Sequence, residues 1–509
     1  MLAVLPASAW NRHAAAHLAL RAGFGTRSPA ELDALLHLGL AGAVETFVSP
    51  AVEDIKPPAL DLTPGHFAVL GVQIRDTLDP EVKRTLQQQR RQEANRQIRE
   101  LTRWWIEQMA QTSTPLVEKM TLFWHGHFAT SMEKVQSPFK MWFQNQTFRR
   151  HALGNFRDLT KAVSRDPAML VWLDLNGSHK EKPNENFARE LMELFTLGEG
   201  HYSEDDVRAA ARAFTGYRIY PVDESFRFVP AQFDNGPKTF LGETGPWDGD
   251  AVIDLILKQP ACARFLVTKL WRFFASENPP PALIDRLADE FRRNNFELRP
   301  LLRVMFRSTE FYSAASRNQQ IKSPVQWLAQ LCRTLPVEVP NAEILANALR
   351  QLGQLPFYPP NVKGWDGGMA WINTGTLTFR YSFGRQLILG RPGRPARIPG
   401  LMADGPPGGL MMAMGEGAKP ETMQSPVPAV NDSRVIAPLS LPALVTDQER
   451  REPAALVSNL CRRLCPDQPQ PALEAHCLAW VAGKPLPLSD GAVRELIALM
   501  IETPHFQLC

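Results

Sequence analysis

The chain has no apolar run of the ~18 residues that a membrane-spanning helix needs. Its opening, MLAVLPASAWNRHAA, lacks both a basic n-region and an unbroken apolar stretch of export-signal length. On the sequence as given, a cytoplasmic protein with no transmembrane segment is expected; an exported form whose signal was removed or lies upstream is the alternative. No charge of one sign dominates: 56 basic against 53 acidic side chains leave a net +3. That balance gives no ground for a nucleic-acid partner. Cysteine is scarce, six residues in 509, and the irregular spacing argues against a disulfide framework. Cys461 and Cys465 lie one helical turn apart with His476 and Cys477 downstream. The CxxC pairing of a zinc site is missing there, so buried reduced thiols are expected. Also absent are a GxSxG elbow, a GxxxxGK[ST] phosphate loop, a dinucleotide GxGxxG and an HExxH. Standard esterase, kinase, dehydrogenase and zincin readings lose their support with them.

What is present points to a mainly α fold. Hydrophobic residues make up 44% and charged residues 21% of the chain, enough for a sizeable core and close to globular averages. Helix starts are written as Ser28–Glu31 (SPAE), Thr114–Pro115, Ser203–Asp206 (SEDD) and Ser323–Pro324, each followed by apolar residues at helical spacing. The expected architecture is a large multi-helix body over residues 1–390 with a small β-ribbon insertion near 216–245, where Tyr217, Ile219, Phe226 and Phe228 alternate with polar residues. A Pro-, Gly- and Met-rich linker or insertion is expected over 391–440, with Met411, Met412 and Met414 either a soft-metal patch or part of a flexible loop. Helices over 441–509 are expected to pack on the main body. The stretch Glu81–Trp105, with seven basic residues among glutamates, reads as a solvated helix laced with charge pairs, or else as an anion- or membrane-facing surface. The endings ELIALMIETPHFQ and LLRVMFRSTEFY match as a helix, a short turn and a Phe that folds back on the core.

The densest group of chemistry-bearing residues is NENFARELMELFTLGEGHYSEDDVRAAARAFT, from Asn184. On a regular helix from about Glu185 to Phe195, the apolar face is Phe187, Leu191, Met192, Leu194 and Phe195, while Asn186, Glu190 and Glu193 recur at spacings of four and three. Two carboxylates a turn apart can share a proton, hold a cation or pair with Arg189. WHGHF sets His125 and His127 around Gly126. On a continuous helix residues two apart diverge; at a helix end, glycine permits the irregular backbone that lets both imidazoles face one metal. The alternative is a histidine that caps the helix or bonds a core carbonyl. Together His125, His127, Glu190 and Glu193 make a set suited to a divalent metal ion or to acid–base work. Asn186, Arg189 and Lys363 are the further catalytic candidates. Asp234 and Lys238 in the ribbon, and Asn361, Lys363 and Trp365 in PPNVKGWDGG, either line a pocket or form local turns and core contacts.

These blocks in this order resemble a large bacterial family, domain of unknown function 1800. The likeness runs through HLALRAGFG from His17, WHGHF, RRHALGNFRDL from Arg149, DPAMLVWLD from Asp166, the NENFARELMELFTLGEGHYSEDDV block, ARAFTGY, GPKTFLG, KLWRFF, IKSPV and PPNVKGWDGG. It covers nearly the whole chain outside the linker. The resemblance implies a bacterial protein, often exported, and a partner of the family called domain of unknown function 1501, which is similar to sulfatases and alkaline phosphatases. It implies no settled activity. The chain departs from the common pattern at Gln232–Gly236, where Phe233 stands in place of a histidine found in many relatives. Two functions follow as expectations: a metal-assisted or acid–base hydrolase working in a helical cleft, or a non-catalytic scaffold for that partner in which His125 and Glu190 are satisfied internally and no cleft is open.

Overall fold

Short polar side chains start the helices where the sequence marks them. Ser28 accepts from the Glu31 amide at the head of Pro29–His37, Ser323 accepts from Gln326 N–H ahead of Pro324–Thr334, and Ser203 with Asp206 closes a reciprocal capping box on Glu204–Ala213. Thr114 behaves differently: helix Pro115–His127 begins there without a side-chain cap, because the Thr114 hydroxyl donates to Glu53 instead (3.0 Å). The computed structural model describes residues 2–390, 436–467 and 470–509. Over these residues the chain is mainly α, 61% helical with 24 helices. The expected methionine cluster at Met411, Met412 and Met414 lies outside the described residues.

In place of one ribbon there are two antiparallel pairs. Tyr217–Tyr220 pairs with Ser225–Phe228, and Lys238–Phe240 with Glu243–Gly245. The basic stretch is a single helix, Pro80–Gln111. Its exposed side carries local pairs such as Arg96 with Glu93 (2.7 Å) and Arg103 with Glu107 (2.9 Å), while Ile98, Leu101, Trp105 and Met109 are buried. The amphipathic split explains how so charged a segment folds. Both helix–turn–Phe endings return their ring to the interior: Phe311 after Leu298–Arg307 and Phe506 after Asp490–Ile501 are fully buried. The C-terminal helices share one apolar cluster with Trp105, Trp327 and Phe383, and Lys322 donates to the Phe506 carbonyl (2.7 Å). Cys461, Cys465 and Cys477 are buried free thiols.

One buried acid sits where the sequence shows only a helix cap. Asp166 Oδ1 caps Pro167–Trp172 by accepting from Ala168 and Met169 N–H (3.0 and 3.1 Å), and also accepts from Gln144 Nε2 (2.9 Å). Asp166 Oδ2 and Gln144 Oε1 are buried with no protein donor among the described residues. A buried carboxylate oxygen without a donor is unfavourable, and protonation turns it into a donor. Burial pushes the Asp166 carboxyl up to about 7, so below that pH the acid carries a proton, placed on the Oδ2 that accepts no bond. Because the folded-state value lies above the unfolded one, the stability Asp166 contributes is complete below the unfolded value and is lost as pH rises through about 7. The loss is on the order of 2–4 kcal/mol. Asp166→Asn supplies the same donor permanently. It is expected to remove this slope from a melting-temperature profile across the acid-to-neutral range while keeping the helix cap; an unchanged slope would contradict the protonated acid.

Candidate functional site

The helix that opens at Glu185 changes its winding midway. Glu185–Glu190 is α-helical and Leu191–Thr196 is a π-turn, closed by Leu197 N–H to Met192 O (2.7 Å) and by the Thr196 hydroxyl to Leu191 O (2.5 Å). The helix ends at Thr196, so its last-turn carbonyls are open to other partners. Three successive residues then meet three different partners. Glu193 Oε2 accepts from the Tyr202 hydroxyl (2.8 Å), Leu194 O from Lys269 Nζ (3.2 Å), and Phe195 O from His127 Nε2 (3.0 Å).

This turn forms one wall of a cleft of about 1360 Å³. The end of Pro115–His127 contributes Phe123, Gly126 and His127. Pro260–Phe274 contributes Phe265, Lys269, Arg272 and Phe273, and the loop 363–371 contributes Lys363, Trp365, Asp366 and Trp371. Aromatic faces with a few converging polar groups are the usual make-up of a small-molecule site. The loop is pressed against the WHGHF block at Gly364. This residue has φ +87°, and a Cβ there would collide with the Gly126 carbonyl oxygen. Only glycine meets both demands.

Of the expected set, the cleft brings together His127, Glu193 and Lys363 but not His125 or Glu190. The histidine pair is separated because Gly126 does not interrupt the helix, which runs on to His127, so the two rings point apart. His125 Nε2 accepts from Phe357 N–H (2.8 Å), and its ring packs between Trp105 and Trp365 (centroids 5.3 and 5.7 Å). It supports the Trp365 wall from behind. His127 donates through Nε2, so Nδ1 holds the lone pair; that atom is buried and has no protein partner among the described residues. Both rings are neutral: burial draws His125 down to about 3, and burial followed by the nearby Lys269 charge lowers His127.

The four-residue metal set is therefore corrected. No three His, Cys, Asp or Glu side chains among the described residues are grouped to hold a metal ion, since the imidazoles diverge and the nitrogen that each needs for a metal is spent on backbone or buried. The same finding covers Cys461, Cys465, His476 and Cys477. Asn186 is exposed, and Arg189 turns outward to a forked pair with Glu204 (2.6 and 2.8 Å) that raises its basicity. Asp234 accepts a similar fork from Arg212 (2.7 and 3.1 Å), and Lys238 donates to Asp234 O and Gly236 O (2.6 and 3.0 Å). The ribbon's polar residues thus serve local turns. Lys363 reaches the cleft rim while paired with Asp366 (2.7 Å).

Glu190 is half-buried, and burial first, then the neighbouring Glu193 charge, raises its carboxyl. Tyr202 is raised to about 12 by burial and by its bond to Glu193, so it stays a donor. Lys269 is drawn down to about 8 by burial and then by Lys363. Tyr202 and Lys269 are absent from the sequence-derived set. Tyr202 sits in the same GEGHYSEDD block as its partner, and Lys269 is the lone ammonium in the apolar run FLVTKLWRFF; an ionisable group on an apolar helix face was the available signal.

Fold and site together define a mainly helical protein with a large polar and aromatic cleft. The chain belongs to the family described as "Protein of unknown function (DUF1800)", whose model matches residues 17–508. No curated protein and no solved structure matches it. No helix among the described residues is long and apolar enough to cross a membrane.

Proposed function

We propose that the cleft is the site of an acid–base hydrolase in which Glu193 is the general base. The observation that carries this reading is the Glu193–Tyr202 pair on the π-turn wall: a carboxylate that lines a cleft of about 1360 Å³ and has one oxygen fixed by a phenol at 2.8 Å. Tyr202 holds the carboxylate's orientation. Glu193 takes a proton from water as the water oxygen bonds to the scissile carbon (or, in a phosphoester, phosphorus), and returns that proton to the departing group as its bond to the same atom breaks. Trp365 and Trp371 give the organic part of the substrate a flat apolar surface. The step uses no metal, in keeping with the divergent histidines.

The scaffold alternative, with a partner of the domain of unknown function 1501 family, is favoured by one observation: His125 is satisfied by backbone. The open cleft argues against it. The test is the initial rate of purified protein on a panel of carboxylic esters, amides, glycosides and phosphoesters. At least one class is expected to turn over. Tyr202→Phe is expected to slow it about tenfold, the cost of one hydrogen bond to a charged group. No turnover of any class, or a Tyr202→Phe rate equal to wild type, would remove the hydrolase reading.

A further inference from the structure

We propose that Lys269 and Arg272 form an anion subsite that seats a single carboxylate, phosphate or sulfate group of an otherwise neutral ligand. The proposal rests on the cleft being the ligand site, and it defines the chemistry of what enters. Four cations line the cleft. Arg264 is taken by Asp285 and Lys363 by Asp366 (2.7 Å). Lys269 and Arg272 have no carboxylate partner among the described residues. They stand three apart on Pro260–Phe274, which puts them one above the other on the cleft-facing side.

The bonds they do make leave donors unused. Lys269 Nζ gives one bond to Leu194 O (3.2 Å) and lies 5.0 Å from the Phe265 ring centre. Arg272 gives its Nε–H to Glu277 O (3.0 Å), which orients the rest of the guanidinium fork without spending it. A half-buried ammonium held only by a carbonyl and a ring lacks counter-charge, and burial, then the Lys363 charge, draws Lys269 toward 8. An anion arriving between the two side chains supplies it. Four carboxylates line the cleft beside the four cations, so its overall field is not positive. This favours one anionic group on a neutral body over a polyanion.

The test is lysine acetylation of the full chain, read residue by residue by mass spectrometry, with inorganic phosphate, sulfate and acetate as separate probes. Sodium chloride at matched ionic strength is the control, and the exposed Lys484 is the internal reference. At saturation, at least one probe is expected to slow Lys269 acetylation about tenfold, equivalent to about 1.4 kcal/mol, with Lys484 unaffected. The most protective probe identifies the group. Arg272→Met is expected to lose most of the protection. No protection by any probe, or full protection in Arg272→Met, overturns the paired subsite. Protection without hydrolysis of any panel substrate keeps the subsite and removes the hydrolase; hydrolysis that depends on Glu193 but no protection does the reverse.

Discussion

Glu118→Ala is expected to destabilise the fold by about 3–5 kcal/mol, the usual result of removing one partner from a buried ion pair. Glu118 is fully buried and both of its oxygens are engaged. Oε1 accepts from Arg149 Nε (2.6 Å), and Oε2 accepts from Arg149 Nη2 and Trp105 Nε1 (both 2.8 Å). The forked geometry ties Pro115–His127 to Pro138–Arg150 and to the long basic helix. Alanine leaves the Arg149 guanidinium with neutral partners, the Asn145 (2.7 Å) and Gln146 (2.9 Å) side-chain oxygens and the Trp104 ring, 5.3 Å away, and it strands the Trp105 N–H. Removing both charges together, as Glu118→Met with Arg149→Met, is expected to cost less than Glu118→Ala alone, because no unpaired charge remains. Urea unfolding followed by circular dichroism measures both. A single-variant loss below ~1 kcal/mol would mean that the pair is solvated in solution, contradicting this prediction.

Glu193→Gln is expected to lower kcat on the responsive substrate class by ~10²–10⁴, the range that a positioned general base supplies. Glutamine fills the same volume and still accepts from Tyr202 (2.8 Å to Glu193), so the wall and cleft keep their shape and KM is expected to stay within a few-fold. A loss confined to KM would reassign Glu193 to binding.

The helical body was legible because its signals are local. Capping residues mark starts, and apolar spacing marks the buried face, as at Ser203 and Ser323. The two ribbons were legible as strand patterning but not as two separate pairs, because nothing local sets apart the pairing partners of Tyr217 and Lys238. The π-turn was invisible. Leu191–Thr196 reads as a regular amphipathic continuation, and partners distant in sequence, His127 and Lys269, bond its last-turn carbonyls. On this turn Glu193 lines the cleft, while Glu190, one turn back, does not.

Glycine at 126 was legible as a special position but for the wrong reason. The close approach there demands glycine at 364, whose Cβ would meet the Gly126 carbonyl oxygen, and Gly126 itself leaves the helix unbroken, so His125 and His127 cannot converge. Lys363 was placed at the cleft because a Pro- and Gly-bounded loop holds it rigidly; Arg189 was misplaced because its outward turn depends on Glu204, which the helix pattern does not align with it.

The most direct measurement is a side-by-side comparison of initial rates for Glu193→Gln and Glu190→Gln on the same substrate. With Glu193 on the cleft wall and Glu190 off it, the first variant is expected to lose at least ~10² in rate and the second to stay within a few-fold of wild type. Equal losses, or a larger loss in Glu190→Gln, would contradict the assignment of the chemistry to the π-turn wall.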